Sequence, residues 1–205
     1  MVCAVIADDE IYKRLIASST EVQWIRVADM DEFQKHGNAE ALFNLSTNSS
    51  NINYSGIIVP VFINSIDKTL SEITGSQNIL RINVWPGFAE KEIWEIAGKK
   101  TPAAEDVLKN CKKKFIFVPD EPGLVSARII AMIVNEAFFA KGENISSEND
   151  IDVAMKLGTN YPHGPFEWGK LIGLNNIYSL LKKLSVSDPR YIPAPELEKE
   201  INTCK

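Results

Sequence analysis

The segment that most constrains this chain is VPDEPG at Val118–Gly123, where two prolines and a glycine interrupt the sequence and the period of the apolar residues changes. Proline fixes φ and removes a backbone donor, so neither a helix interior nor a central strand runs through such a stretch. Before it, short β-branched runs alternate with weaker helical stretches, the pattern of an α/β domain built on a parallel sheet. After it, nearly every segment has helical periodicity. The chain therefore reads as two domains, residues 1–118 and 119–205, with the boundary near Pro119.

Both halves have the means to fold and neither has the charge to bind nucleic acid. Of 205 residues, 45% are apolar, enough for a core in each domain. The formal charge is -5, with 13 basic against 15 acidic residues up to Val118 and 9 against 12 beyond it. Cys3, Cys111 and Cys204 are odd in number, far apart and without metal-site spacing, which predicts free thiols in a reducing compartment and no metal. The start, MVCAVIADDEIYKRL, meets acidic residues too soon for a signal peptide. No apolar stretch approaches the ~20 residues that span a bilayer. The expected location is the cytoplasm, with no membrane or nucleic-acid partner.

In the first domain, strands are expected at Val2–Ala7, Val22–Val27, Gly56–Phe62, Ile79–Val84 and Lys114–Val118. The tract HGNAEALFNLSTNSSNINYSG is rich in Ser and Asn in its later part and reads as an exposed loop, and Lys112–Lys114 reads as a solvated turn. In the second domain, the helix after Gly123 carries apolar residues around most of its circumference, so neighbours or a second subunit must bury it on several sides. Next, Ser147 with Asp150 makes a capping-box-like start and Gly158 a stop, which would turn Ile151, Ala154, Met155 and Leu157 inward.

Three segments of the second domain carry a resemblance: the buried helix with Asn135–Glu136–Ala137, then ENDIDVAMKLGTNYPHGPFEWGKLIGLNNIYSLL, then DPRYIPAPELEKEI. In order, spacing and wording they resemble the C-terminal domain of the 3-hydroxyacyl-CoA dehydrogenases, of the 3-hydroxybutyryl-CoA dehydrogenase kind. The run Asp152–Gly173 is the most specific, with Met155, Lys156, Gly158, Tyr161, Pro162, Gly164, Pro165 and Phe166 in family positions. The resemblance implies a truncated Rossmann-like α/β domain followed by an all-helical domain, pairing through residues 119–205 into a homodimer. It further implies NAD as cofactor and an acyl-CoA as ligand.

The first domain departs from what the resemblance implies. The G-x-G-x-x-G turn that admits a dinucleotide pyrophosphate is replaced by IADDEIYKRL, where Asp8, Asp9 and Glu10 add charge of the wrong sign. Asp29 matches the acidic residue that holds the adenine ribose, although an Asp after a strand is also an ordinary turn former. The family's catalytic His and the Glu twelve residues on align with Asn83 and Glu95 in RINVWPGFAEKEIWEIAG. An amide takes up no proton near neutral pH, so Asn83 is no general base. Ala127 stands where the family has an Asn, and the stretch with the active-site Ser is missing between Phe62 and Asn83. The α/β domain is shortened by roughly a third to a half.

His36 reads as a solvated side chain and His163 as a packing residue of the YPHGPF turn. Trp168 reads as an interface or pocket aromatic, and Trp24, Trp85 and Trp94 as core or rim residues. The first functional expectation is a degenerate member without NAD-dependent oxidation and without a bound cofactor, holding an acyl-CoA or a partner. The alternatives are a working NAD-dependent dehydrogenase with a rearranged site, and a structural dimer.

Overall fold

The computed structural model describes residues 1–19, 21–75 and 77–203; Cys204 lies outside the described residues. The chain divides into two compact units, Met1–Leu124 and Val125–Lys205. The division falls after Leu124, where the sequence pattern placed it near Pro119.

The first unit contains β1 (Val2–Ile6), α1 (Asp9–Ser18), β2 (Gln23–Arg26), α2 (Met30–Gln34), β3 (Ala41–Asn44), β4 (Val61–Asn64), β5 (Ile79–Ile82), β6 (Ile93–Gly98), α3 (Pro102–Asn110) and β7 (Lys114–Phe117). One sheet runs β2-β1-β3-β4-β5-β6-β7. The first five strands are parallel, as the β-branched runs suggested. β6 pairs antiparallel with β5, and β7 runs parallel to β6, so the sheet is mixed rather than parallel throughout.

Two expectations about strands are corrected. The segment Gly56–Phe62 enters the sheet only at Val61, and β3 lies inside the tract that read as an exposed loop. Ala41, Leu42, Phe43 and Leu45 are buried there, as is Tyr54 further on. Four apolar-rich residues hidden before a Ser/Asn run leave too short a signal for period counting.

Alternation along the strands sends successive side chains to opposite faces. Phe43, Phe62, Leu80, Ile82, Trp94 and Ile96 face α1 and α3. Phe43 and Phe62 stack at 4.6 Å, a contact worth about 0.5–1.5 kcal/mol beyond the area it buries. On the other face Ala4, Leu42, Val61, Ile63 and Ile79 are covered by α2 and by irregular connections through Tyr54 and Ile73. Among the described residues no α-helix lies between β3 and β4 or between β4 and β5. Arg81 stands on this helix-poor side and is fully buried. Its guanidinium donates to the carbonyls of Ser65, Ile66 and Glu121 and pairs with Asp120 at 2.5 Å. The prolines that end the α/β pattern are thereby held against β5 and the loop after β4.

Lys113 departs from the solvated turn expected of Lys112–Lys114. It is 6% exposed, lies over the Trp94 ring, and donates to the carbonyls of Ala89 and Lys91. Trp85 and Trp94 are buried, and Trp24 meets Phe43 edge-on.

The second unit contains α4 (Ser126–Gly142), α5 (Glu148–Thr159), α6 (Pro165–Ile172), α7 (Leu174–Ser185) and α8 (Pro195–Thr203). The apolar circumference of α4 has a local explanation: α5, α6, α7 and α8 all pack against it. Ser147 caps α5 as expected, accepting from the Asp150 N–H. Gly158 does not stop the helix, which runs through Thr159 and ends at Asn160 in the left-handed region, φ 55°. Leu157 is 83% exposed and Ala154 is exposed, while Ile151 and Met155 are half-buried. The residue that α5 buries is Asp152.

Candidate functional site

In an open α/β sheet the functional crevice lies beyond the carboxyl ends of the strands, where the strand order reverses. Here β1 sends the chain to β2 on one side and lies beside β3 on the other, so Ala7–Asp8 and Asn44–Ser46 line that point. The ends of β2 and β5 bring Asp29 and Asn83 to the same edge of the sheet.

At the start of α1, Asp8 is the N-cap and its carboxylate accepts the Ile11 N–H at 2.8 Å. Asp9 pairs with Arg26 at 2.6 Å, and the Arg26 hydrogen bond holds the Asp9 carboxyl below its usual range. Arg26 also donates to the carbonyl of Ala7 and lies over the Tyr12 ring. A pyrophosphate at a helix start needs free N–H groups, an uncompensated helix dipole and residues small enough for close approach. This turn instead offers a carboxylate already bonded to the helix and a second one beside it. Its residues do not fit a dinucleotide in the usual pose.

Asp29 caps α2 by accepting the Glu32 N–H at 2.8 Å, and Glu32 answers by accepting the Ala28 N–H at 2.6 Å. That reciprocal box accounts for Asp29 as a helix start.

Asn83 follows the end of β5 and Glu95 lies within β6, the strand whose register pairs Ile82 with Ile96. Asn83 is buried, and its side-chain oxygen accepts the Trp85 N–H at 3.0 Å, closing a turn. An amide so engaged positions backbone, and it takes up no proton near neutral pH.

Sequence reasoning missed a neutral network at the end of β3. The Asn44 amide donates to the Tyr54 hydroxyl and accepts from Ser46, and Tyr54 donates to the Ser49 carbonyl. Asn44, Ser49 and Tyr54 are buried, so these are structural bonds under the crevice floor. An Asn ending each of β3 and β4, with Asn83 just past β5, was the available signal.

In the second unit the motif residues hold helices together. Asp152 accepts the N–H groups of Phe166 and Glu167, capping α6 from another helix. A Cβ at Gly164 would lie 2.3–2.5 Å from Asp152 atoms, which is why only glycine fits there. Glu167 pairs with Lys156 and accepts the Gly164 N–H, and these bonds lower its carboxyl from the usual range. Asn135 ties α4 to the Pro-rich segment through the Ile192 carbonyl and the Ala194 N–H. His163 meets the buried Trp168 edge-on at 4.6 Å, so that indole belongs to the interior of the unit. His36 is half-buried rather than solvated and borders a shallow hollow with Phe33 and Val59. Ala127 is fully buried on α4. Among the described residues no group of acids, histidines and cysteines is placed to hold a metal, and no helix is long and apolar enough to cross a membrane.

Comparison with known proteins finds similarity in the second unit. Residues 123–203 match the family described as 3-hydroxyacyl-CoA dehydrogenase, C-terminal domain. Over 83 residues the chain is 43% identical to 3-hydroxyadipyl-CoA dehydrogenase of Escherichia coli K12, covering 40% of this chain and 18% of that protein. Over 98 residues it is 35% identical to 3-hydroxybutyryl-CoA dehydrogenase of Clostridioides difficile, covering 47% and 35%. Through this region the chain is similar to the 3-hydroxyacyl-CoA dehydrogenases.

The fold agrees over nearly the whole length. The (S)-3-hydroxybutyryl-CoA dehydrogenase of Ralstonia eutropha aligns with a TM-score of 0.77 at 19% identity, covering 99% of this chain and 94% of that one. FadB2 of M. tuberculosis aligns with a TM-score of 0.78 at 14% identity, covering 99% and 93%. At such identities these matches speak for the Rossmann-plus-helical fold. The curated relatives are matched over little more than a third of their length at most. The sequence likeness to these dehydrogenases concentrates in the helical unit.

Proposed function

We propose that the chain is a member of the 3-hydroxyacyl-CoA dehydrogenase family without NAD-dependent oxidation, retaining the binding of an acyl-CoA thioester. The observation that carries this reading is the start of α1, where Asp8 occupies the helix N-terminus and the Asp9–Arg26 pair stands beside it. Asn83 in the catalytic register position supports it, because a hydride acceptor and a general base are lost together. Catalytic groups acting as a unit do not work piecemeal. The acyl-CoA part rests on the relatives, whose names are those of CoA-thioester dehydrogenases, and on the helical domain shared with them.

A second copy of the chain is the partner we propose for the helical unit, and α5 is the face it would cover. On α5, Val153 and Leu157 stand four residues apart and are 40% and 83% exposed, and Tyr161, just past the helix end, is 37% exposed. A stripe of that kind on a soluble helix suits a self-complementary two-fold contact. The two described cysteines, both free and buried, suit a cytoplasmic setting.

Calorimetry with NADH, and with acetoacetyl-CoA in its absence, tests the functional reading. Expected are no heat from NADH at millimolar concentration and saturable binding of the thioester. A micromolar dissociation constant for NADH, with reduction of acetoacetyl-CoA, would restore the working dehydrogenase.

A further inference from the structure

A cavity of about 350 Å³ opens within the helical unit, lined by residues that take no part in the family positions discussed for catalysis. That volume lies at the small end of the range for ligand sites, about 300–1,000 Å³. Its floor is aromatic: Phe138 of α4 and Phe166 of α6 meet at 5.0 Å, with Leu174 and Ile201 beside them. Gly169 leaves the space open, since a Cβ there would come within 2.8 Å of the Leu174 side chain.

The rim is charged in an uneven way. Glu148 at the start of α5 and Glu200 on α8 both line the cavity, and they share one cation, Lys141, at 2.7 and 3.3 Å. Each carboxylate spends one oxygen on Lys141, Oε1 of Glu148 and Oε2 of Glu200, and keeps the other. Two carboxylates against one ammonium leave one negative charge in surplus at that wall. Both are half-exposed, 38% and 43%, so a guest can reach them. On the opposite part of the rim stand Lys170 and the Asn175 amide, both exposed.

We infer that this cavity binds a small cationic amphiphile, a primary ammonium carried on an aromatic or branched apolar body. The ammonium would sit against the free oxygens of Glu148 and Glu200, where charge-assisted hydrogen bonds add to Coulomb attraction. The apolar body would lie on Phe138 and Phe166, whose faces also attract a cation. An anion of the same body meets repulsion at the acidic wall. Lys170 leaves room for a guest that carries a carboxylate as well, so an aromatic amino acid falls within the class.

The inference stands apart from the acyl-CoA reading, because its residues and its probes differ. The test is titration of the full chain with phenethylamine, L-phenylalanine and 3-phenylpropionate, followed by calorimetry and by NMR of the Phe138 and Phe166 rings. Phenethylamine and phenylalanine should bind at sub-millimolar to millimolar concentration and shift those rings, and phenylpropionate should not. In the Glu148→Gln/Glu200→Gln variant phenethylamine should weaken about tenfold, the usual size of a lost charged hydrogen bond. Absence of phenethylamine binding, equal or tighter binding of phenylpropionate, or unchanged affinity in a folded double variant would each overturn the assignment. Should the double variant fail to fold, the comparison of the amine with the acid on the unaltered chain decides alone.

Discussion

At the scale of single residues, burial explains more of this chain than charge does. Cys3 and Cys111 are fully buried, and burial pushes both thiols up to about 12. A thiol whose folded value lies above its unfolded one stabilises the fold below the unfolded value, near 8.5–9, and loses that contribution as pH rises towards the folded value. Above pH 9 the unfolded chain therefore ionises first, and each thiol should remove about 1.4 kcal/mol of stability per pH unit. Urea unfolding between pH 8 and 11 should show this alkaline loss, and Cys3→Ala/Cys111→Ala should flatten it. Equal pH slopes in the two proteins would mean that the thiols are not the cause. The free state of these cysteines followed from their spacing alone. The role of Asp152 did not, because its partners, Phe166 and Glu167, lie 14 and 15 residues away on another helix. Lys113 was misread for a related reason: a lysine satisfied by carbonyls leaves no trace in a charge run.

At the scale of elements, local signals were legible and compensations were not. The cap at Ser147 followed from a residue type that bonds its own neighbours. β3 and β6 were missed, one inside a polar tract and the other inside the segment read for its catalytic spacing. Part of the cover of the helix-poor sheet face was equally hidden, since Arg81 meets the segment Asp120–Glu121, 39 and 40 residues away in sequence. Removing one partner of a buried, hydrogen-bonded pair costs about 3–5 kcal/mol, and the partial exposure of Asp120, 31%, places this pair at the low end. Arg81→Leu should thus lower unfolding stability by about 3 kcal/mol. Hydrogen exchange should show the Gly123 amide, which donates to the Ile66 carbonyl at 2.7 Å, losing protection first. A variant with wild-type stability would mean that the irregular cover holds without its guanidinium.

At the scale of the whole molecule, the two units differ in how much of their ancestry the sequence preserves. Asn83→His restores the imidazole at the aligned family position, yet Asp8 still caps α1. General-base catalysis is worth about 10²–10⁴-fold only where substrate and hydride acceptor are already in place. Acetoacetyl-CoA reduction by Asn83→His should stay at the blank rate, and its appearance would show that the turn at Asp8 opens to the cofactor. Light scattering addresses assembly: the chain should run as a dimer, and Leu157→Lys should make it monomeric by placing a charge in the apolar stripe of α5. A wild-type monomer at high micromolar concentration would remove α5 as an interface.

The carboxylate that Asp8 places on the first turn of α1 also bears on how such a chain would behave inside a cell. A dehydrogenase answers to the ratio of oxidised to reduced nucleotide around it, because each form competes for the same helix start. A helix start that carries its own anion is deaf to that ratio. With the acyl-CoA reading, occupancy would follow thioester concentration alone, through starvation or anoxia alike.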